Sequence, residues 1–398
     1  MHDALGTLAK IHYGKSPNAV TSIDGSIPVV GTGGTYGWAN QAVFHTGVVV
    51  ARKGSLGKPH LCRSPFWPAD TTYAVIPHAN VDLDWLYYCL LNFDLTKLNE
   101  ATGVPSISRD WLAKTRFFNP GYEKQKKIAA FLAGIDTAIE KTEALIAKYQ
   151  QIKAGLMHDL FTRGVLPNGQ LRPTRKQAPE LYQETVIGWI PADWKVCPLD
   201  QKVNPARPIV YGILMPGYGH PGGVPVVKVK DIRNRSINME GLLLTSPAID
   251  QEYKRSRLKE GDVLFTIRGT VGRVAIVPEQ LAHANITQDT ARIDLLGVHG
   301  KFISFYFETV PARRFFEVNT LGVAVQGINL GELRKLPIPV PALDEQARIS
   351  DRLVVALERI DAEIRTQAKL VSQKLGLMQD LLTGKVQVKV DAQEPAHA

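Results

Sequence analysis

The residues able to do chemistry come first. This 398-residue chain has ten histidines, three cysteines and several glycine-rich turns that could cradle a phosphate. The richest turn, Gly31–Gly37 (GTGGTYG), lacks the strand–turn–helix setting in which backbone N–H groups grip a pyrophosphate. It reads as a turn. There is no GxxxxGK phosphate loop, no GxGxxG following a strand and no HExxH pair for zinc. The Asp/Asn-Pro-Pro-aromatic motif of amino-methyltransferases is also absent. His45, His60 and His78 are scattered and form no helical ligand pair, so they read as solvent-facing or core residues. Cys62, Cys89 and Cys197 lie far apart with no CxxC spacing, which argues against a disulfide framework or a zinc site and suits a reducing cytoplasm. Carboxylate–lysine pairs occur throughout, so the residues alone leave a nuclease site open.

A binding role needs donors and acceptors at the ends of rigid elements, where they can reach phosphates and base edges. Arg52, Lys53, Ser55 and Lys58 offer these around one glycine-rich turn. Arg268, Thr270 and Arg273 offer them around another. The run Lys228, Lys230, Arg233, Asn234, Arg235 adds more, and Gln326 and Asn329 sit in a loop that matches Ser106 and Ser108. Each alone reads as a solvated charge or a turn residue. As a set they recur at matching turns in two halves of the chain. The net charge of +9 and a pI near 9.3 favour a polyanionic partner, most often nucleic acid.

The elements that must position these residues are a stretch written twice. Glu123–Val165 and Asp344–Val386 align without a gap at an offset of 221, with 14 identities in 43 positions. Gln125/Gln346, Ile128/Ile349, Leu132/Leu353, Ile139/Ile360 and Lys153/Lys374 are among them, and both copies close on Gly-Leu-Met-x-Asp-Leu-x-Thr. Apolar residues step by three and four through each copy. That spacing predicts a helix of about 38 residues, roughly 57 Å long at 1.5 Å per residue, with one apolar stripe. A lone helix of that length needs a partner, and the simplest is the other copy, packed as a two-helix coiled coil. The seam residues are Ile128, Leu132, Ile139, Leu156, Ile349, Leu353, Ile360 and Met378.

The rest of the chain falls around these helices. Residues 1–120 form a first globule with short strands at Ile27–Val30, Val48–Ala51 and Tyr73–Ile76 and a helix from Asp82 to Asn92. The first long helix spans 121–165, and 166–180 (LPNGQLRPTRKQAPE) reads as a linker. Residues 181–341 form a second globule, with strands at Val224–Val229, Asp262–Ile267 and Val274–Val277 and a helix from Lys301 to Thr309. The second long helix spans 342–386 and 387–398 is a tail. The halves echo beyond the helices: Arg52–Gly57 answers Ile267–Gly272, and Ile27–Val30 answers Val224–Val227. The fold expected is α+β, two globules each followed by a long helix, with an internal pseudo-twofold repeat. The N-terminus has no long apolar core, and no stretch approaches the ~20 apolar residues of a membrane span. A cytoplasmic location is expected.

At this point the pattern resembles the specificity subunits of type I restriction–modification enzymes, over nearly the whole chain. Pro339–Ile349 (PVPALDEQARI), its fainter twin Asn119–Ile128 and the closing run of each helix carry the likeness. RKGSLGK with Ser64–Pro77 (SPFWPADTTYAVIP), and GWIPADWKV at the head of the second globule, are similar to that family's target-recognition domains. The resemblance implies that each globule reads one half of a split, asymmetric double-stranded DNA target. The helices would set the gap between half-sites and carry two modification (methyltransferase) subunits. Restriction (translocase/nuclease) subunits would join them. It implies no catalytic centre, metal or cofactor on this chain, with S-adenosylmethionine, ATP and magnesium entering through the partners. Two other readings are an autonomous nuclease or methyltransferase and a protein-only coiled-coil scaffold. One departure stands out: 46 residues precede Gly47, whereas 73 run from Gly188 to Glu260, so the first globule is expected to be trimmed at its edge or its start assigned late.

Overall fold

A computed structural model of the chain describes residues 1–322 and 326–389. It divides into two compact units, Met1–Ile146 with the chain from Glu363 onward, and Ala147–Ala362. Each unit combines one globule with part of both long helices. The division therefore cuts across each helix, where the sequence reading kept it whole.

Both globules are built on the same sheets. In the first, four antiparallel strands run in the order Ala9–Tyr13, Thr72–Pro77, Gly47–Ala51, His60–Cys62. In the second, the order is Val210–Tyr211, Thr290–Ile293, Val263–Thr266, Val274–Ile276. A three-stranded sheet accompanies each, with Ile27–Gly31 between Gly34–Ala39 and Trp67–Pro68 in one, and Val224–Val227 between Leu243–Thr245 and Asn285–Ile286 in the other. In both, the last pairing is parallel. A short antiparallel pair, His2–Ala4 with Arg116–Phe118 and Lys195–Pro198 with Pro337–Val340, leads into each long helix. The central strands are apolar on both faces. Val48 and Val50 enter one core cluster and Val49 another, just as Val263 and Phe265 part from Leu264. Gly14 and Gly212 hold matching places, where a Cβ would lie 1.9 Å from the carbonyl oxygen of Ala69 or Ile286.

Two readings change here. Gly31–Gly37 is mostly strand: the chain turns at Thr32-Gly33 and returns as Gly34–Ala39, paired back on Ile27–Gly31. The strands of the second globule from Lys195 onward have counterparts in the first from His2 onward. Most of the extra length lies in 228–262, which stands where the first globule has 32–46. It carries a hairpin, Ile232–Arg233 with Ser236–Ile237, and a helix, Pro247–Glu252. A second hairpin, Tyr182–Thr185 with Gly188–Pro191, precedes Lys195.

The long helices run Tyr122–Arg163 and Leu343–Leu382, and glycines at positive φ follow each, Gly164 (65°) and Gly384 (78°). A left-handed residue closes a helix end without the strain a Cβ would add. Within the first unit, Lys374 meets Asp136 at 2.5 Å and Gln367 donates to Glu143 at 2.8 Å. Within the second, Arg359 lies 5.4 Å over the Tyr149 ring. Positions climb on one helix as they fall on the other, so each unit holds an antiparallel helix pair.

The apolar stripe does more than zip the helices together. Ile128, Leu132 and Met378 are buried in the core of the first globule, and Ile349 and Leu353 in that of the second, with Leu156 packed against it. Ile360 is buried and Ile139 half-buried. The seam residues near the helix ends thus anchor helices to globules. Each buried leucine or isoleucine contributes about 1.5–3 kcal/mol through burial. The repeated glutamines fasten the same joint. Gln125 accepts from the Asp82 backbone N–H and Gln346 from that of His299, both at 2.8 Å, pinning each long helix to the head of a globule helix.

The segment 166–180 is fixed in place within the second unit. Arg172 is buried and donates to Glu345 and Asp193, and Glu345 also accepts from the Val165 N–H (2.7 Å) and the Trp194 indole (3.1 Å). The Tyr182 hydroxyl donates to the Pro173 carbonyl and Arg352 to that of Gly169. The segment ties the end of the first long helix to the start of the second.

Candidate nucleic-acid interface

In each globule the central strand leaves the sheet into a glycine-bearing turn, and a second segment pairs with that turn. Lys53 bridges Ser106, Gly54 N–H donates to the Pro105 carbonyl and Ile107 N–H to that of Arg52, both at 2.9 Å. In the other globule Arg268 bridges Gly327, Gly269 N–H donates to the Gln326 carbonyl and Ile328 N–H to that of Ile267, again at 2.9 Å. Gly54 and Gly269 both sit at positive φ, 89° and 75°, which lets the chain reverse in the left-handed region that L side chains avoid. Two loops from distant parts of the sequence are thereby fused into one rigid edge, twice.

This arrangement gathers Lys53, Ser55 and Ser106 in the first unit and Arg268, Thr270 and Gln326 in the second. Lys53 and Arg268 are exposed, hold equivalent positions, and have no side-chain partner among the described residues. Arg52 is held back, its guanidinium donating to the Asp70 carbonyl at 3.0 and 3.2 Å. Lys58 is exposed on the same turn. Ser108 and Asn329 are the N-caps of Arg109–Lys114 and Leu330–Arg334. Ser108 accepts from the Asp110 N–H, whereas the Asn329 side chain makes no cap bond and is exposed.

The basic run of the second globule divides. Arg233 and Asn234 are exposed at the tip of its hairpin, and Lys230 is exposed beside them. Lys228 is half-buried, its backbone N–H bonded to Asp231. Arg235 points inward. It stacks 3.9 Å above the Phe305 ring and pairs with Glu308. Arg273 also turns in, donating to the carbonyls of Val229 and Ile232 at 3.1 and 3.3 Å. These two arginines fasten the hairpin and do not join the exposed edge.

Two residues missed from sequence belong beside the edges. Tyr13 and Tyr211 are 49% and 55% exposed and close equivalent strands just before Gly14 and Gly212. Arg52 and Arg109 both lie over the Tyr13 ring, at 5.5 and 5.4 Å. An exposed tyrosine flanked by arginines offers a stacking face and a hydroxyl to a nucleic acid. The Tyr-Gly pair present in both halves was the available signal.

Among the described residues no group of three or more His, Cys, Asp or Glu could hold a metal ion, and no helix is long and apolar enough to cross a membrane. The family described as "Type I restriction modification DNA specificity domain" matches residues 3–151 and 219–370. The chain is 26% identical over 318 residues to the type I restriction enzyme EcoBI specificity subunit of Escherichia coli, covering 78% of this chain and 66% of that protein. It is 23% identical over 303 residues to the MjaVIII specificity subunit of Methanocaldococcus jannaschii, covering 74% and 68%. The alignments thus span about two thirds of the relatives' lengths. The fold is similar to that of a type I restriction–modification S subunit from M. genitalium, with a TM-score of 0.60, 13% identity and 96% of each chain covered. A chain from a structural study of complex assembly and conformational transition in the type I system gives 0.58, with 15% identity over 97% of this chain and 98% of that one.

Proposed function

The chain belongs to the type I restriction–modification DNA specificity family, and from that premise we propose that it is the subunit that reads DNA and directs its partners to the target. The observation that carries this reading is the duplicated loop edge, with exposed Lys53 in one unit and exposed Arg268 in the other. Each edge reads one half-site. The residues at the two edges differ, Lys53, Ser55 and Ser106 against Arg268, Thr270 and Gln326, so the half-sites differ and the target is asymmetric. Lysine offers a single mobile donor group. Arginine offers a planar fork that can meet guanine O6 and N7 together, and glutamine can meet adenine N6 and N7.

The chain itself has no catalytic role. Two modification subunits dock on the helix pair and restriction subunits join them. S-adenosylmethionine, ATP and magnesium enter through those partners, and the length of the helix pair sets the gap between the half-sites. The test is to co-express the chain with its genomic neighbours and map methylated adenines in the host DNA. The expected result is a split motif with a fixed gap, one half of which changes when residues 1–120 are exchanged for another family member's globule. A contiguous motif, or one that survives the exchange whole, would overturn the two-edge reading. Methylation or cleavage by the purified chain alone would favour an enzyme in its own right.

A further inference from the structure

The second unit holds a basic cavity of about 300 Å³ that no residue of the loop edge lines. Arg207, Arg257 and Arg292 form its floor, Lys254, Arg255 and Lys259 its rim, and no carboxylate lines it. The nearby carboxylates are engaged behind the wall. Asp262 and Asp294 accept from Arg207 at 2.8 and 2.7 Å, and Asp250 accepts from Arg257 at 2.7 Å. Those two arginines are thus outnumbered by the three carboxylates they hold, and the positive charge of the cavity comes from Arg292 and the exposed Lys254, Arg255 and Lys259.

Arg292 differs. It is 1% exposed, and among the described residues it donates only to main-chain carbonyls (Pro208 at 3.0 Å, Arg255 at 3.2 Å, Arg207 at 3.5 Å) while its Nε–H has no partner. Burial pushes its guanidinium below the ordinary value and neighbouring Arg207 adds to the effect, against the pull of Asp262 and Asp294. A buried cation without a directly bonded counter-ion is unfavourable and gains from a bound anion. The three rim residues are exposed and lack ion-pair partners among the described residues. The cavity thus offers positive charge and N–H donors of the kind an oxyanion takes.

We propose that this cavity seats a backbone phosphate of the DNA whose bases the second loop edge reads, an inference that rests on the DNA-reading role. Placement supports it. Arg292 pairs with Leu264 on the central strand, and that same strand runs out four residues later at Arg268. At 3.3 Å per residue Leu264 and Arg268 are about 13 Å apart, roughly four base-pair steps of 3.4 Å along a duplex axis. One sheet then holds the backbone at one point and presents its edge to the bases at another.

The test uses the full chain assembled with its modification subunits, in titrations of duplex DNA carrying the mapped target and of inorganic phosphate. The first variant is Lys254→Ala with Arg255→Ala and Lys259→Ala, all exposed positions. The second is Arg292→Lys. Expected for the triple variant is a loss of affinity of about tenfold or more on every duplex and a salt slope shallower by about 0.9 per contact removed, with the mapped motif unchanged. Arg292→Lys should weaken binding in the same sequence-independent way. Unchanged affinity and slope in the triple variant, while Arg268→Ala still relaxes a base, overturns the cavity's role and leaves the reading edge standing. Loss of inorganic phosphate binding with DNA binding intact assigns the cavity to a free phosphate species and overturns the backbone assignment. Absence of salt-sensitive DNA binding in the unaltered complex overturns the DNA-reading role itself.

Discussion

Lys53 and Arg268 agree in position at the two edges and offer different donors, an ammonium and a planar guanidinium fork. Arg268→Ala should relax one base position in the half-site read by the second globule by ~1–3 kcal/mol, and Lys53→Ala should act only on the other half-site. Competition binding across a library of altered duplexes measures both. An even loss on all sequences from both variants would make them backbone contacts. At this scale the sequence was informative about type and poor on direction. The echo of Arg52–Gly57 in Ile267–Gly272 located both turns. It could not show that Arg52, Arg235 and Arg273 turn back onto carbonyls, a ring and Glu308, because those partners are placed by the fold. Arg292 was invisible for the same reason: its neighbours in sequence, Ala291 and Ile293, mark only a buried strand.

The long helices were legible because a 3.6-residue period over some forty residues has few other readings. Their ends were not. An apolar stripe shows that a face is covered and leaves open what covers it, so the sequence placed Ile128, Leu132, Ile349 and Leu353 on a seam and could not show that globule cores bury them as well. The identity Lys153/Lys374 hides a similar divergence. Lys374 pairs with Asp136 on the facing helix, whereas Lys153 pairs at 3.2 Å with Glu308 of the globule, which also holds Arg235. The segment 166–180 has no apolar period and reads as a linker, yet Arg172 is buried with Glu345. Removing one partner from such a pair leaves the other charge stranded and typically costs about 3–5 kcal/mol. Glu345→Gln should therefore lower the urea midpoint of the full chain markedly. The double replacement Arg172→Met with Glu345→Gln should recover part of the loss. A midpoint unchanged by Glu345→Gln would show the cluster to be dispensable.

At the scale of the molecule, the duplication makes two copies of one device and lets them diverge between the shared strands. The sheets keep their order, the long helices keep their glutamine pins, and the joint at each helix start is built alike. The difference is concentrated in 228–262, which gives the second globule a hairpin fastened by Arg235 and Arg273 and the Lys254–Lys259 rim. Strand order follows from matching apolar runs and was within reach of the sequence. The division into units was not, because it depends on which globule takes each helix end.

That division has a consequence for how the chain is made. The second unit is one continuous stretch, Ala147–Ala362, whereas the core of the first contains Met378, Leu381 and Leu382 beside Leu5, Trp85 and Leu132. Domains generally fold in order of synthesis, at about 5–20 residues per second. Here the globule born first waits, its core unsealed, until residues 378–382 have been made. The globule born second can close while the first is still open. A nascent chain stalled after residue 370, with those residues clear of the exit tunnel, should yield a protease-resistant fragment from 147–362 and rapid cleavage within 1–146. Release of the full chain should protect both. Equal resistance of the two regions in the stalled chain would show that the first globule closes without its C-terminal piece.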